Sequence, residues 1–148
     1  MRSPKETESD TLNNRRTLIN PQGSEAMYHS MGFSQAVRVG NIVWISGQVG
    51  IDESFGIGEG IEEQARRAFE NLSHVVQEAG GSLADIVELV TYHTSMTDMK
   101  AFMRVKAEYI AEDYPAWTAV GVRELVLPGL LVEIRATAVI GGNQHGQS

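Results

Sequence analysis

The residue with the clearest chemical potential in this sequence is a glutamate set in an apolar strand. Val132-Glu133-Ile134-Arg135-Ala136-Thr137-Ala138 alternates apolar and polar side chains, and a period of two sends neighbours to opposite faces of a sheet. Glu133, Arg135 and Thr137 then share one face, and Ile134, Ala136 and Ala138 share the other. A carboxylate in a half-buried cleft can act as a general base toward water; on an open strand face it is simply solvated or ion-paired. Ser46-Gly47-Gln48 closes an apolar run and offers a hydroxyl beside bare backbone at a sheet edge. That suits a small-ligand pocket or, equally, a turn. No Gly-x-Ser-x-Gly elbow surrounds Ser46.

Other chemistries find less support. The run Gly56-Ile57-Gly58-Glu59-Gly60 precedes a helix, where free backbone N–H groups can cradle phosphate. It lacks the Lys-Ser/Thr pair of a P-loop, and Glu59, Glu62 and Glu63 put negative charge where phosphate would sit. It reads as a plain loop. His29, His74, His93 and His145 show no metal-ligand spacing, and there is no cysteine. No metal site, thiolate site or disulfide framework is expected.

The elements that must position these residues fit one domain. The chain has 148 residues, 42% hydrophobic and 21% charged, with a net charge of −7. Such an acidic chain is a poor partner for a phosphate backbone, which needs clustered Lys and Arg, and for an anionic membrane surface. No run approaches the roughly 18–20 apolar residues of a membrane-spanning helix, and no apolar segment follows Met1-Arg2-Ser3-Pro4 as in a signal peptide. A cytoplasmic protein is expected. Residues 1–16 and 141–148 read as polar tails around a domain spanning 17–140.

Val37–Val39 and Ile42–Ile45 flank Gly40-Asn41 as a hairpin. Ile61, Ala65, Ala68, Phe69, Leu72, Val75, Val76 and Ala79 recur at helical spacing, ended by Gly80-Gly81. Ser82-Leu83-Ala84-Asp85 has the form of a capping box. Ile86–Thr94 reads as a strand, and Thr97-Asp98 can cap a second helix that ends before Pro115. Ala116–Val122 and Leu130–Ile140 complete an order β-β-α-β-α-β-β. This predicts an α+β domain with two helices on one face of a sheet and the other face left to find cover.

Several segments together resemble the RidA (YjgF/YER057c/UK114) family over about residues 33–140. They are Phe33–Gln35, Val39-Gly40-Asn41, Ile45-Ser46-Gly47-Gln48, Gln64-Ala65-Arg66 with Asn71-Leu72, Asp85-Ile86-Val87, Phe102–Tyr109, Pro115-Ala116 and Val132-Glu133-Ile134. The resemblance implies a chorismate-mutase-like α+β fold. It implies a homotrimer with small-molecule pockets in the clefts between subunits, and hydrolysis of 2-imino or 2-enamino acids without metal or cofactor. Glu133 stands at the family's water-activating glutamate, and Ser46 and Gly47 at its Ser-Gly pair. Phe33 stands where type members have tyrosine, so a hydroxyl is lost.

The main departure is Pro115-Ala116-Trp117-Thr118, where active members read Pro-Ala-Arg. An indole has no charge and one donor, so it cannot grip a carboxylate bidentately. Losing such a charge pair costs about 2–5 kcal/mol, or about 30- to several-thousand-fold in binding. A pocket of Phe33, Glu133, Trp117 and Thr118 then favours a flatter, less anionic imine or enamine. Lys106 or Arg123 could supply a replacement cation. The alternatives are a non-enzymatic metabolite-binding trimer and, against the charge balance, an endoribonuclease or translation inhibitor.

Overall fold

The computed structural model describes residues 15–141; of the tails expected at 1–16 and 141–148, residues 1–14 and 142–148, with His145, lie outside these. In chain order the elements are β1 (Thr17–Ile19), α1 (Glu25–Met31), β2 (Ala36–Val39), β3 (Ile42–Val49), α2 (Gly60–Glu78), β4 (Ile86–His93), α3 (Met99–Tyr109), β5 (Ala116–Gly121) and β6 (Val132–Val139). The strands form one mixed sheet of six in the order β1-β2-β3-β6-β4-β5, with β4 and β5 parallel and the remaining pairs antiparallel. β1 and α1 add to the expected order. Each is too short to carry a hydrophobic period, and α1 buries none of its residues.

α2 forms where its apolar stripe predicts, burying Gln64, Ala65, Ala68, Phe69, Leu72, Val75 and Val76 against the sheet. Phe69 stacks on Phe102 of α3, tying the two helices together. From β6, Val132, Ile134, Ala136 and Ala138 enter this core. The capping box forms as read: Ala84 N–H donates to the Ser82 hydroxyl and Ser82 N–H to the Asp85 carboxylate. At α3 the expectation fails, because the N-cap Asp98 makes no side-chain capping bond.

The opposite sheet face carries Glu133, Arg135 and Thr137, as the alternation requires. Its apolar side chains are open in one chain: Trp44 is 46% exposed, Val87 43% and Ile42 40%. Two bulges decide what sits there. One extra residue in β3 between Ile45 and Gln48, and another in β4 between Ile86 and Glu88, shift the pairing and reverse the alternation beyond each point. Inward positions therefore run Val43, Ile45, Gln48 on β3 and Ile86, Leu89, Thr91, His93 on β4. No helix among the described residues is long and apolar enough to cross a membrane.

Candidate functional site

The β3 bulge builds the first half of the site. Ser46-Gly47 was expected at the strand's end, yet β3 continues to Val49 and the pair lies at its bulge. Register sets Glu133 opposite Val49 on one side and Tyr92 on the other. A Cβ on Gly47 would come within 2.6 Å of Glu133 Cδ and Oε2, so the carboxylate packs against backbone that only glycine leaves bare. Glu133 is half-buried, and burial alone pushes its pKa above the usual carboxylate value. Such a carboxylate is a stronger base near neutral pH than a solvated one.

Phe33–Gln35 is stitched to this bulge. Ser46 N–H donates to Gln35 O at 2.9 Å and the Ser46 hydroxyl to Ser34 O at 2.7 Å. Gln48 Nε2 donates to Gln35 Oε1 at 2.9 Å. Half-buried Phe33 precedes the tethered Ser34 and Gln35 in the chain, and the Ser46 hydroxyl spends its proton on this tether. Sequence reading missed the buried Gln35–Gln48 pair. It also missed Tyr92, directly across from Glu133 on the same face; the tyrosine in an alternating strand was visible, but its partner strand was not.

The second half stands elsewhere. Trp117 pairs in register with Leu89, on the helix side of the sheet. Its Nε1–H donates to the buried Thr91 hydroxyl at 2.9 Å, and its ring centroid lies 6.0 Å from that of Phe102. The indole's one donor is thus committed inside the protein. Lys106 Nζ sits 4.8 Å from the Trp117 centroid and 5.4 Å from that of Tyr114, and burial pushes its pKa down. Thr118 is exposed on edge strand β5, pointing away from Trp117, and Arg123 is exposed in the loop that follows. One chain therefore brings Gly47 of the Ser46-Gly47 pair against Glu133, and separately Lys106 against Trp117, on opposite faces of its sheet.

Among the described residues no group of three or more His, Asp or Glu could hold a metal ion. His93 is fully buried, its Nε2 2.7 Å from Thr91 Oγ1 and its Nδ1 without a partner.

A mixed sheet of six strands, with helices on one face and the Glu133 carboxylate over a Ser-Gly bulge on the other, defines an α+β protein. The family model described as Endoribonuclease L-PSP matches residues 23–140, and the chain belongs to this family, the RidA family. It is similar to the RutC family protein YjgH of Escherichia coli, 36% identical over 84% of this chain and 95% of that protein. It is 34% identical to a 2-iminobutanoate/2-iminopropanoate deaminase of Dermatophagoides farinae, over 73% of this chain and 85% of the other. The crystal structure of RidA from an Antarctic Psychrobacter superposes with a TM-score of 0.71 at 40% identity, covering 73% of this chain and 88% of that one.

Proposed function

We propose that this protein is a RidA-type deaminase that hydrolyses a small imine or enamine, with Glu133 activating water. The observation that carries this is the half-buried carboxylate of Glu133 lying over Gly47, with burial raising its pKa. Glu133 takes a proton from water as the oxygen adds to the imine carbon. The nitrogen is protonated, the C–N bond breaks, and a carbonyl compound and ammonia leave. The reaction is a hydrolysis without net redox change.

The working form is a homotrimer. In it the open sheet face of one copy meets the next and buries Trp44, Ile42 and Val87, and the cleft between copies sets one copy's Glu133 before its neighbour's Lys106 and Trp117. Support comes from the exposure of those apolar residues and from the separation of the two half-sites in a single chain. Specificity departs from the type because position 117 offers an indole wall where active members offer a bidentate guanidinium. The family model's endoribonuclease description draws no support from a chain of net charge −7.

The test is ammonia release from 2-iminopropanoate made in situ by an amino-acid oxidase. Wild type should accelerate it more weakly than type members carrying the arginine do, and Glu133→Gln should lower what acceleration there is by about 100-fold or to background, the usual size of a general-base contribution. Turnover unchanged in Glu133→Gln would reject the assignment.

A further inference from the structure

One buried side-chain polar atom among the described residues has no hydrogen-bond partner, Nδ1 of His93. The ring is fully buried at the end of β4, and the reaction proposed above makes no use of it. Burial lowers its pKa from 6.5, against the opposing pull of Asp98, so the imidazole is neutral at pH 7. A neutral imidazole has one N–H and one acceptor nitrogen, and its neighbour decides which is which. Trp117 Nε1–H can only donate, and it donates to Thr91 Oγ1 at 2.9 Å. His93 Nε2 lies 2.7 Å from the same oxygen. With the hydrogen on Nε2, Thr91 Oγ1 accepts twice, its own hydrogen finds no acceptor among the described residues, and Nδ1 is a bare lone pair. With the hydrogen on Nδ1, the hydroxyl donates to Nε2 and only Nδ1–H is left over. The second arrangement leaves fewer buried groups unmet. It also runs its bonds one way, from indole to hydroxyl to imidazole, so that each polarises the next.

The contacts close into a circuit. His93 meets Phe102 edge-on, with centroids 4.8 Å apart, and the Phe102 centroid lies 6.0 Å from that of Trp117. His93 thus touches both supports of the indole, the hydroxyl that takes its N–H and the ring beside it. A threonine hydroxyl turns freely about its C–O bond and can aim its hydrogen at the indole. An acceptor at Nε2 draws that hydrogen away and leaves a lone pair for Trp117. An aliphatic side chain would fill the same space without an orphaned nitrogen, but it could not set that rotor.

We infer that His93 is a positioning residue for Trp117: held as the Nδ1–H tautomer, it orients the Thr91 hydroxyl and through it the indole wall of the pocket. The pocket role of that wall rests on the deaminase reading above; the hydrogen-bond chain does not.

Nitrogen-15 labels on the histidine and tryptophan rings of the full chain test this directly, with Trp44→Phe as background so that one indole signal remains. His93 should show a protonated Nδ1 and an unprotonated Nε2. The readout is exchange of the Trp117 N–H with solvent, taken relative to the backbone amides of α2, which report global opening. Thr91→Val removes the acceptor and should speed this relative exchange about fivefold or more, the worth of one ordinary hydrogen bond. His93→Leu should speed it as well, because the hydroxyl is free to turn. His93→Gln, whose amide oxygen accepts in place of Nε2, should restore slow exchange, which a role in packing alone does not predict. A protonated Nε2, a relative exchange unchanged in His93→Leu, or one that His93→Gln fails to rescue overturns the inference. Turnover separates the two readings. In an active wild type, His93→Leu should lower kcat/KM for the imine of phenylalanine relative to that of alanine about two- to tenfold, the worth of an aromatic contact; an unchanged ratio overturns the link from His93 to the pocket. An inert wild type with the expected tautomer and exchange pattern rejects the deaminase and keeps the positioning role, and turnover with a protonated Nε2 does the reverse.

Discussion

Gln64 offers the sharpest test of how the site is held. It is 2% exposed on α2 and uses its amide in both senses. Nε2 donates to Gly58 O at 3.0 Å and Gly129 O at 2.8 Å, while Oε1 accepts from Leu131 N–H at 2.7 Å. One side chain thus joins the loop before α2 to the loop before β6, two residues from Glu133. Replacing it with leucine keeps the volume and removes all three bonds. Gly129 is exposed and its carbonyl can turn to water; Gly58 is buried and Leu131 half-buried. Two groups left without partners at about 1–3 kcal/mol each, partly offset by leucine burial, give a net loss of about 3 kcal/mol. At about 4 °C per kcal/mol for a domain of this size, Tm falls by about 12 °C. Gln64→Glu separates bonding from packing. It keeps the acceptor for Leu131 and sets a carboxylate against two carbonyls, so it should be at least as damaging at pH 7. Toward acid pH it should partly recover, as the carboxyl protonates and donates to one of them. Thermal melts of both variants decide it. A drop below about 4 °C for Gln64→Leu, or a Gln64→Glu melt that ignores pH, would refute the claim that these three bonds hold the loops together.

Two glycines should behave oppositely. Gly50→Ala drives a Cβ to 2.5 Å from Gln64 Cα, helix backbone that cannot retreat, and should cost about 3 kcal/mol by overpacking. The three atoms nearest the added Cβ of Gly47→Ala all belong to the Glu133 side chain. The variant should melt within a few degrees of wild type, yet push that carboxyl about 1 Å toward normal contact and lower imine turnover about 100-fold. Glu133 is raised above its usual value of 4.5 by burial, so folding stability declines as pH rises from there through the raised value. Glu133→Gln should therefore melt higher than wild type at pH 7–8, with the gap closing near pH 4. Buried His93 is lowered from 6.5, so wild type should lose stability as pH falls below about 6.5 toward the lowered folded value; His93→Gln melts should show a flatter acid limb. Trp44→Glu, which charges the open face, should yield monomers in sedimentation; an unchanged trimer would remove that face from the interface.

Much of the fold was legible because its signals are local. The stripe of α2, the Gly40-Asn41 turn and the Ser82/Asp85 box each depend on residues a few positions apart, and each formed where read. β1 and α1, of three and seven residues, hold too few apolar positions to show a period. The site was legible only as an inventory. Glu133's face followed from the uninterrupted alternation of β6.

What could not be read was how parity carries from strand to strand. A bulge reverses every side chain beyond it; the β3 bulge left only Gly47 as a sign in the sequence, read as a strand end, and the β4 bulge at Val87 left none. Without the β3 bulge, Gln48 would leave its buried pairing with Gln35. Without the β4 bulge, Thr91 and His93 would turn to the open face and Tyr92 to the core. Trp117 would then lose the hydroxyl that accepts its N–H, and the platform beneath Lys106 would lose its anchor. Position 117 looks like a lost charge when read as a residue type alone. On this sheet the indole faces the helices, and a lysine from α3 lies over it. Read as a motif, the position shows only arginine exchanged for tryptophan; in the fold, packing between a helix and an edge strand brings Lys106 Nζ to 4.8 Å from the centroid of that indole.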